Sequence, residues 1–342
     1  MVGTMSLRDF LKEKNIELSL RRYGVDMINY MTWGLFGSLI IGLIIKTVGQ
    51  WTGLEFLVEV GTVAQAGMGA AIGVGVAYGL QAPPMALFTA PIIGQLAVTV
   101  GGGPVGSLVA VIISVELAKL VHQKKATDII FVPATSLIIG LAIAYSVAPL
   151  LGDMMRTIGR TIEWAMELQP LFMSILLAVI IGMVLTSPTS SAALTISLEL
   201  SGLAAGAATA GCCAQMIGFA AMSYRENGWG GLIGIGLGTS MLQLPNIIKN
   251  PLIWVPPTLT AAIMGPIATL GFGMRNVPAG AGMGSSGLVG QVGTLEAMGN
   301  TADVWLSIAL VQFIFPAALA WGFYWLMMRL HLIQAGDLKL PK

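Results

Sequence analysis

The chain has 342 residues, of which 56% are hydrophobic and only 10% are charged, and its net charge is +1. Soluble domains carry about 25% charged residues, so the composition excludes a soluble domain and indicates an integral membrane protein. The near-zero net charge also excludes a large basic surface for nucleic acid. Because the apolar stretches are long enough for helices, the predicted fold class is an all-α, polytopic membrane protein.

The first 27 residues predict a cytoplasmic amphipathic helix. Ser6 and Asp9 resemble a capping box, and apolar side chains share one face over residues 6–22. This segment is too charged to cross a membrane, so we expect it to lie in the membrane interface. It has no leading apolar core, which argues against a secretory signal peptide.

Hydrophobic segments predict about ten crossings in a single transmembrane domain over residues 28–330. They cover about residues 29–48, 57–80, 85–101, 104–119, 127–150, 170–186, 192–223, 229–248, 252–272 and 303–327. Residues 192–223 fit either one tilted span or a short hairpin followed by a span. The glycine-rich residues 277–298 predict a re-entrant hairpin. Its interruptions matter because lipid cannot satisfy free backbone groups.

An interfacial helix over residues 153–168 is expected to join two halves, residues 28–151 and 169–330. Five spans in each half would make a possible inverted repeat, a geometry that many carriers share.

The distribution of Lys and Arg predicts the orientation of the chain. Five precede the first span, three lie in the loop at residues 119–125, and three follow the last span. Both termini, including the tail over residues 331–342, are therefore expected to be cytoplasmic. Arg225 then falls outside, as an exception to the rule.

Two breaks rich in hydroxyl groups are candidate binding elements. The first contains Ser187, Thr189 and Ser190, and the second contains Ser285 and Ser286. Each break can present the donors of a helix end to the oxygens of a solute. The alternative is that these hydroxyls only bond back to their own helices.

A cation and two amides form a third candidate element. Asn246, Lys249 and Asn250 are bracketed by Pro245 and Pro251, which free backbone acceptors around them. The cluster is suited to a polyol or an anion. Alternatively, it is a short cytoplasmic loop whose lysine follows the positive-inside rule.

Two acids complete the candidate solute-binding residues. Glu199 follows the first break by two helical turns, and Glu296 stands at the far end of the predicted hairpin. The adjacent Cys212 and Cys213 are interpreted as packing residues. We expect no metal site, no cofactor and no catalytic residue, because the chain has no Walker A, G-x-S-x-G or H-E-x-x-H motif.

Four stretches together resemble a known family. They are G-G-G-P-V-G-S-L, L-T-S-P-T-S-S-A-A, L-Q-L-P-N-I-I-K-N-P and G-A-G-M-G-S-S-G-L-V-G. As a set they resemble the phosphotransferase-system enzyme IIC-like family, in the branch of perfringolysin (toxin) regulators. The resemblance implies a ten-helix sugar-permease-like fold and a homodimer in the bacterial inner (plasma) membrane.

The resembling permeases carry a G-I-T-E signature whose glutamate contacts the sugar. The stretch nearest in setting, residues 185–190, has no acid there. The resemblance also implies that the chain is not an enzyme on its own and needs separate IIA and IIB proteins for phosphorylation.

The resulting hypothesis is a permease for a small polar solute, a sugar or sugar-like compound. The alternatives are a membrane-embedded solute sensor or regulator without transport, and a carrier for a small carboxylate. We expect the solute to bind between the two hydroxyl-rich breaks, with Asn246 or Lys249 nearby.

Overall fold

The computed structural model describes residues 7–340, with side chains from residue 10 onward. Over these residues the chain is helical, and the single β-bridge joins Gly202 to Asn276. The helices are α1 (Leu7–Glu13), α2 (Arg22–Thr52), α3 (Glu55–Ala66), α4 (Met68–Gly79), α5 (Pro84–Ala97), α6 (Gly103–Val121), α7 (Asp128–Ser146), α8 (Ala148–Leu168), α9 (Pro170–Thr186), α10 (Ser191–Ser197), α11 (Gly202–Ile233), α12 (Leu244–Lys249), α13 (Pro251–Gly271), α14 (Pro278–Ala281), α15 (Val289–Met298) and α16 (Ala302–Arg329). The all-α fold class is confirmed.

Six continuous segments of the described chain are long and apolar enough to cross a membrane. They are Arg22–Thr52, Pro84–Val121, Asp128–Leu168, Gly202–Gly238, Pro251–Gly271 and Ala302–Arg329. The pair α3 and α4, bent by 51°, makes a seventh. The polytopic prediction is confirmed, but the count of ten crossings is not.

The segment Pro84–Val121 folds back on itself. It has 38 residues, or about 57 Å at 1.5 Å per residue, nearly twice the ~30 Å hydrocarbon core. Gly101 interrupts it with a φ of +92°. A Cβ on Gly94, before this break, would lie 2.9 Å from the Ser107 hydroxyl after it. The two limbs therefore run side by side in opposite directions.

The chain divides into two compact units, the first ending at Arg156 and the second beginning at Thr157. The boundary lies inside α8, within residues 153–168, which the sequence predicts as the joint between two halves. The possible five-plus-five inverted repeat stays a prediction.

In the first unit, glycines let neighbouring helices touch through their backbones. A Cβ on Gly34 would lie 2.5 Å from the Ala71 carbonyl oxygen, and one on Gly69 would lie 2.6 Å from the Gly94 carbonyl oxygen. The glycine-rich stretch over residues 61–79 is thus used for helix packing inside this unit.

The N-terminal segment is held against loop ends of the first unit. Its helix α1 ends at Glu13, well short of the predicted end near residue 22, while Ser6 lies outside the described residues. Beyond it, the Asn15 amide donates to Gln81 Oε1 at 2.6 Å. Lys119 Nζ donates to the Asn15 carbonyl oxygen at 3.0 Å. The loops at residues 80–84 and 119–125 therefore share one end of this unit with the N-terminal segment.

In the second unit, α9 and α10 form a hairpin, called here the first hairpin (residues 170–201). Near its start, the Ser174 hydroxyl lies 3.6 Å from Met166 Sδ. At its end, the Ser201 hydroxyl donates to Glu163 Oε1 at 2.7 Å. Both ends of the hairpin thus lie against the same part of α8. Of the two interpretations of residues 192–223, the structure shows the short hairpin limb followed by a long helix, α11.

Residues 228–249 form the second hairpin. The side-chain amides of Asn227 and Gln243 both donate to the Leu338 carbonyl oxygen, at 2.8 and 2.9 Å. Asn227 directly precedes the segment and Gln243 lies in its return limb. Because both bond to one carbonyl, the segment returns towards the point from which it started. The expected crossing over residues 229–248 is replaced by this hairpin. The expectation that Arg225 and the C-terminal tail lie on opposite sides is corrected.

Residues 277–298 form the third hairpin, as the sequence predicts. Its limbs are adjacent, because a Cβ on Gly293 would lie 3.1 Å from Gly280 Cα. Its base is closed where the Arg275 backbone N–H donates to Met298 Sδ at 3.2 Å. Its tip is the turn over residues 284–288, where Gly284 has a φ of +55° that a larger residue rarely adopts.

Candidate functional site

The tips of all three hairpins meet near the middle of α11. The first tip is residues 186–191, the second is residues 236–240, and the third is residues 284–288. Thr186, at the first tip, is 3.3 Å from Gln215 Oε1, about halfway between the start of α11 and its break at Gly228. A Cβ on Gly284, in the third tip, would lie 2.7 Å from the Cys212 backbone. A Cβ on Gly236, in the second tip, would lie 3.3 Å from Ala220 Cβ. Three non-helical backbone segments therefore lie beside the middle of α11, the longest helix of this unit. Within a membrane, such backbone must be covered by protein or line a cavity.

Gln215 is the centre of a buried polar network. Its Oε1 accepts from Trp254 Nε1 at 3.0 Å and from the Thr186 hydroxyl at 3.3 Å. Its Nε2 donates to the Thr258 hydroxyl at 3.2 Å. Thr186 in turn shares a hydrogen bond with the Ser240 hydroxyl at 2.8 Å. This network joins the first and second tips to α11 and α13.

The predicted hydroxyls of the third tip bond to the second tip. Ser285 is fully buried and donates to the Gly236 carbonyl oxygen at 2.5 Å. Ser286 is half-buried and donates to the Gly238 carbonyl oxygen at 2.8 Å. Ser285 therefore acts as a link between hairpins, while the more accessible Ser286 remains a candidate to exchange its bond for one to a solute.

The predicted hydroxyls of the first tip lie in a half-buried turn. The hydroxyls of Ser187 and Thr189 are 2.6 Å apart, and Ser190 caps α10 by accepting from the Ala193 N–H at 3.1 Å. Next to them, the Ser191 hydroxyl donates to the Gly282 carbonyl oxygen at 2.6 Å. The structure thus brings the first tip close to the third, as the sequence hypothesis requires.

The predicted amide and lysine cluster lies at the base of the second hairpin instead. The Asn246 amide donates to the Lys339 carbonyl oxygen at 3.0 Å, and the Asn250 amide donates to Asp337 Oδ2 at 2.7 Å. With Lys249 they line a cavity of about 410 Å³ against the C-terminal tail. The cluster does form a concave polar surface, but away from the hydroxyl-rich tips.

The two predicted acids lie near the bases of their hairpins. Glu199 is exposed and ends the return limb of the first hairpin, with a φ of +51°. Glu296 is exposed near the end of α15, two residues before Met298 at the hairpin base. Neither stands among the three tips.

Cys212 and Cys213 are fully buried. Cys212 Sγ lies 3.8 Å from the carbonyl oxygens of both Ile181 and Ala281, which suits a small packing residue between the first and third hairpins. Within residues 7–340, no group of three His, Cys, Asp or Glu residues could hold a metal ion.

Sequence reasoning missed the buried half of this site: Thr186, Gln215 and Ser240. Thr186 stands one residue before the S-P-T-S-S break, and Ser240 opens the next interrupted stretch. Gln215 has a signal of its own, because an amide in the middle of an otherwise apolar helix must find partners there. Together with the predicted hydroxyls, these residues offer neutral donors and acceptors suited to the hydroxyl groups of a sugar.

A family model described as "Phosphotransferase system, EIIC" matches residues 25–340 of the chain. A search of curated proteins found no match. The family match covers both units and all three hairpins, and members of this family are the membrane permease components of sugar phosphotransferase systems. The chain therefore belongs to the phosphotransferase-system EIIC family, and it is a multi-pass membrane permease of the sugar-transporting type.

Proposed function

We propose that the chain binds a neutral sugar where the three hairpin tips meet. The observation that carries this proposal is the direct bonding between tips. Thr186 bonds to Ser240 at 2.8 Å, and Ser286 bonds to the Gly238 carbonyl oxygen at 2.8 Å. Sugar hydroxyls both donate and accept hydrogen bonds, so they match such a mixture of hydroxyls, amides and carbonyls.

The choice of a neutral sugar over an acidic one rests on where the charged residues lie. Lys249, Glu199 and Glu296 belong to the bases of the hairpins, whereas the tips carry Ser, Thr and Gln side chains. An anionic solute buried among neutral groups would lose its hydration without gaining a counter-charge.

Equilibrium binding to the purified protein tests this assignment. The probes are glucose, mannose, galactose and N-acetylglucosamine as neutral sugars, and glucuronate as the acidic one. We expect a neutral sugar to bind most tightly and Lys249→Gln to change its Kd by less than about twofold. Tightest binding of glucuronate, with loss of that binding in Lys249→Gln, would instead place the site at the cavity beside the tail.

We further propose that the protein is a homodimer in the bacterial plasma membrane, with both termini cytoplasmic and separate IIA and IIB proteins as partners. The family match supports the partners, and the Lys and Arg distribution supports the orientation. In the structure, Glu226 bonds to the tail through the Gly336 N–H at 3.0 Å. This contact supports placing Arg225 on the same side as the tail, in agreement with the positive-inside rule.

A single cysteine in place of Arg225 tests that orientation in intact cells. It should be labelled by a thiol reagent only when the reagent reaches the cytoplasm. Labelling from outside by a membrane-impermeant reagent would contradict the proposed orientation.

A further inference from the structure

The C-terminal segment over residues 334–340 bridges the end of α11 before its Gly228 break and the return limb of the second hairpin. At the end of α11, Glu226 accepts from the backbone N–H groups of Gly336 and Leu338, at 3.0 and 3.1 Å. The Asn227 side chain donates to the Leu338 carbonyl oxygen at 2.8 Å and accepts from the Leu340 N–H at 2.9 Å. Four hydrogen bonds thus come from two adjacent residues.

The second limb is held by the same short segment. Gln243 donates to the Leu338 carbonyl oxygen at 2.9 Å, Asn246 donates to that of Lys339 at 3.0 Å, and Asn250 donates to Asp337. Leu338 is fully buried in a cluster that includes Phe219, Ile235 and Ile247. Its burial adds an apolar contact to the polar ones, which argues that the tail is part of the fold rather than a loose end.

The second hairpin packs through Ile235 and Ile247, but its glycine-rich limb also depends on contacts from outside it. Gly228 breaks it from α11 with a φ of +59°, and Gly234, Gly236 and Gly238 follow without side chains that could pack. Its tip is held from one side by the hydroxyls of Ser285 and Ser286. Its base is held by the tail.

We propose that residues 334–340 position the second hairpin. Because Ser240 belongs to this hairpin, they also position one side of the proposed sugar site. Glu226 and Asn227 are the positioning residues: they anchor the tail at the end of α11, and the tail holds the return limb of the hairpin. This inference rests on the proposed function for its consequence in sugar binding, but the attachment itself does not depend on it.

Two isosteric variants in the full-length protein test the proposal. Glu226→Gln weakens the acceptor for two tail N–H groups, and Asn227→Asp removes the donor to the Leu338 carbonyl while keeping the shape. Arg225→Gln is the matched control, because this exposed neighbour lies on the same turn of α11. The primary measurement is hydrogen–deuterium exchange of backbone amides without any sugar present.

We expect both variants to raise exchange by about tenfold in residues 229–249 and to leave residues 251–271 within about twofold of wild type, since lost local hydrogen bonds favour local opening. The Kd of the tightest-binding sugar of the panel should rise by about threefold to tenfold. The control should change neither quantity.

Unchanged exchange over residues 229–249 in both variants would overturn the positioning role. An equal rise over residues 251–271 would also overturn it, because the tail would then support the whole fold. A local rise in exchange with an unchanged Kd would overturn the link to the sugar site. Because exchange is measured without sugar, the first two outcomes test the positioning role of the tail even if the sugar binds elsewhere.

Discussion

Glycine has two uses in this protein, close helix packing and helix breaks, and each unit supplies a clear example of one of them. In the first unit, Gly34 and Gly69 lie inside helices, where they bring two backbones into contact. In the second unit, Gly228 and Gly284 have positive φ angles at places where helices break. In the first unit these glycines bring neighbouring helices close together, and in the second unit they help to form hairpins whose tips converge. The comparison teaches that a high glycine content alone does not locate a transport site, and that the proposed site combines glycine at a break with neighbouring hydroxyls.

The comparison predicts that replacing a bonded glutamine weakens sugar binding more in the second unit than in the first. Gln215→Leu leaves the partners at Thr186, Trp254 and Thr258 without it. Trp254 Nε1 loses its acceptor, and a lost hydrogen bond to a buried group costs about 1–3 kcal/mol, so we expect the sugar Kd to rise by about tenfold to a hundredfold. The measurement is equilibrium binding to protein that remains monodisperse in detergent.

The matched control is Gln95→Leu in the first unit. Gln95 also joins two segments, accepting from the Ala70 N–H at 3.1 Å and donating to the Ala66 carbonyl oxygen at 3.0 Å. This variant should lower the melting temperature and leave the Kd within about twofold. Equal losses of binding in both variants would remove the functional distinction between the units.

A pair of glycine substitutions gives the next largest effect. Gly284→Ala places a Cβ 2.7 Å from the Cys212 carbonyl carbon, at a φ of +55°. Gly73→Ala places a Cβ 2.8 Å from the Ala90 carbonyl carbon and nearer still to its oxygen, between continuous helices. Both should lower the melting temperature, because neither backbone can yield easily. Only Gly284→Ala should also weaken sugar binding, by about tenfold or more, since it displaces a tip. Binding at wild-type affinity in Gly284→Ala would contradict the convergence of tips as the site.

A pair of serine substitutions gives the smallest effect. Ser286→Ala removes a half-buried hydroxyl at the third tip and should raise the sugar Kd by about tenfold, the typical effect of one lost hydrogen bond to a ligand. Ser146→Ala removes an exposed hydroxyl that donates to the Ala142 carbonyl oxygen at 2.6 Å in the first unit. It should change the Kd by less than twofold, within the error of the measurement. Indistinguishable Kd values for the two variants would take Ser286 out of the site.

Much of the fold was predictable because its signals are local. Long apolar stretches, the glycine-rich residues 277–298 and the serine-rich break before α10 each indicate their own structure. The second hairpin was not predictable in this way. Residues 229–248 have the length and hydropathy of a crossing, and only their bonds to Leu338, about a hundred residues further along the chain, show that the segment turns back.

The candidate site was predictable in part for the same reason. Ser285 and Ser286 stand out because hydroxyls beside glycines mark a break. Lys249 stands out equally in the sequence, yet the fold places it at a hairpin base beside the tail. Gln215 could be suspected only from its apolar surroundings, because its three partners come from distant parts of the chain.

Protection of a single introduced cysteine by sugar tests the central claim most directly. Thr189→Cys places a thiol at the first tip, and Lys249→Cys places one in the cavity at the base of the second hairpin. The native Cys212 and Cys213 stay in place because both are fully buried. Labelling by a methanethiosulfonate reagent is compared with and without a saturating concentration of the tightest-binding neutral sugar. We predict that sugar slows labelling at position 189 and leaves position 249 unchanged; protection at position 249 alone would contradict binding at the converging tips.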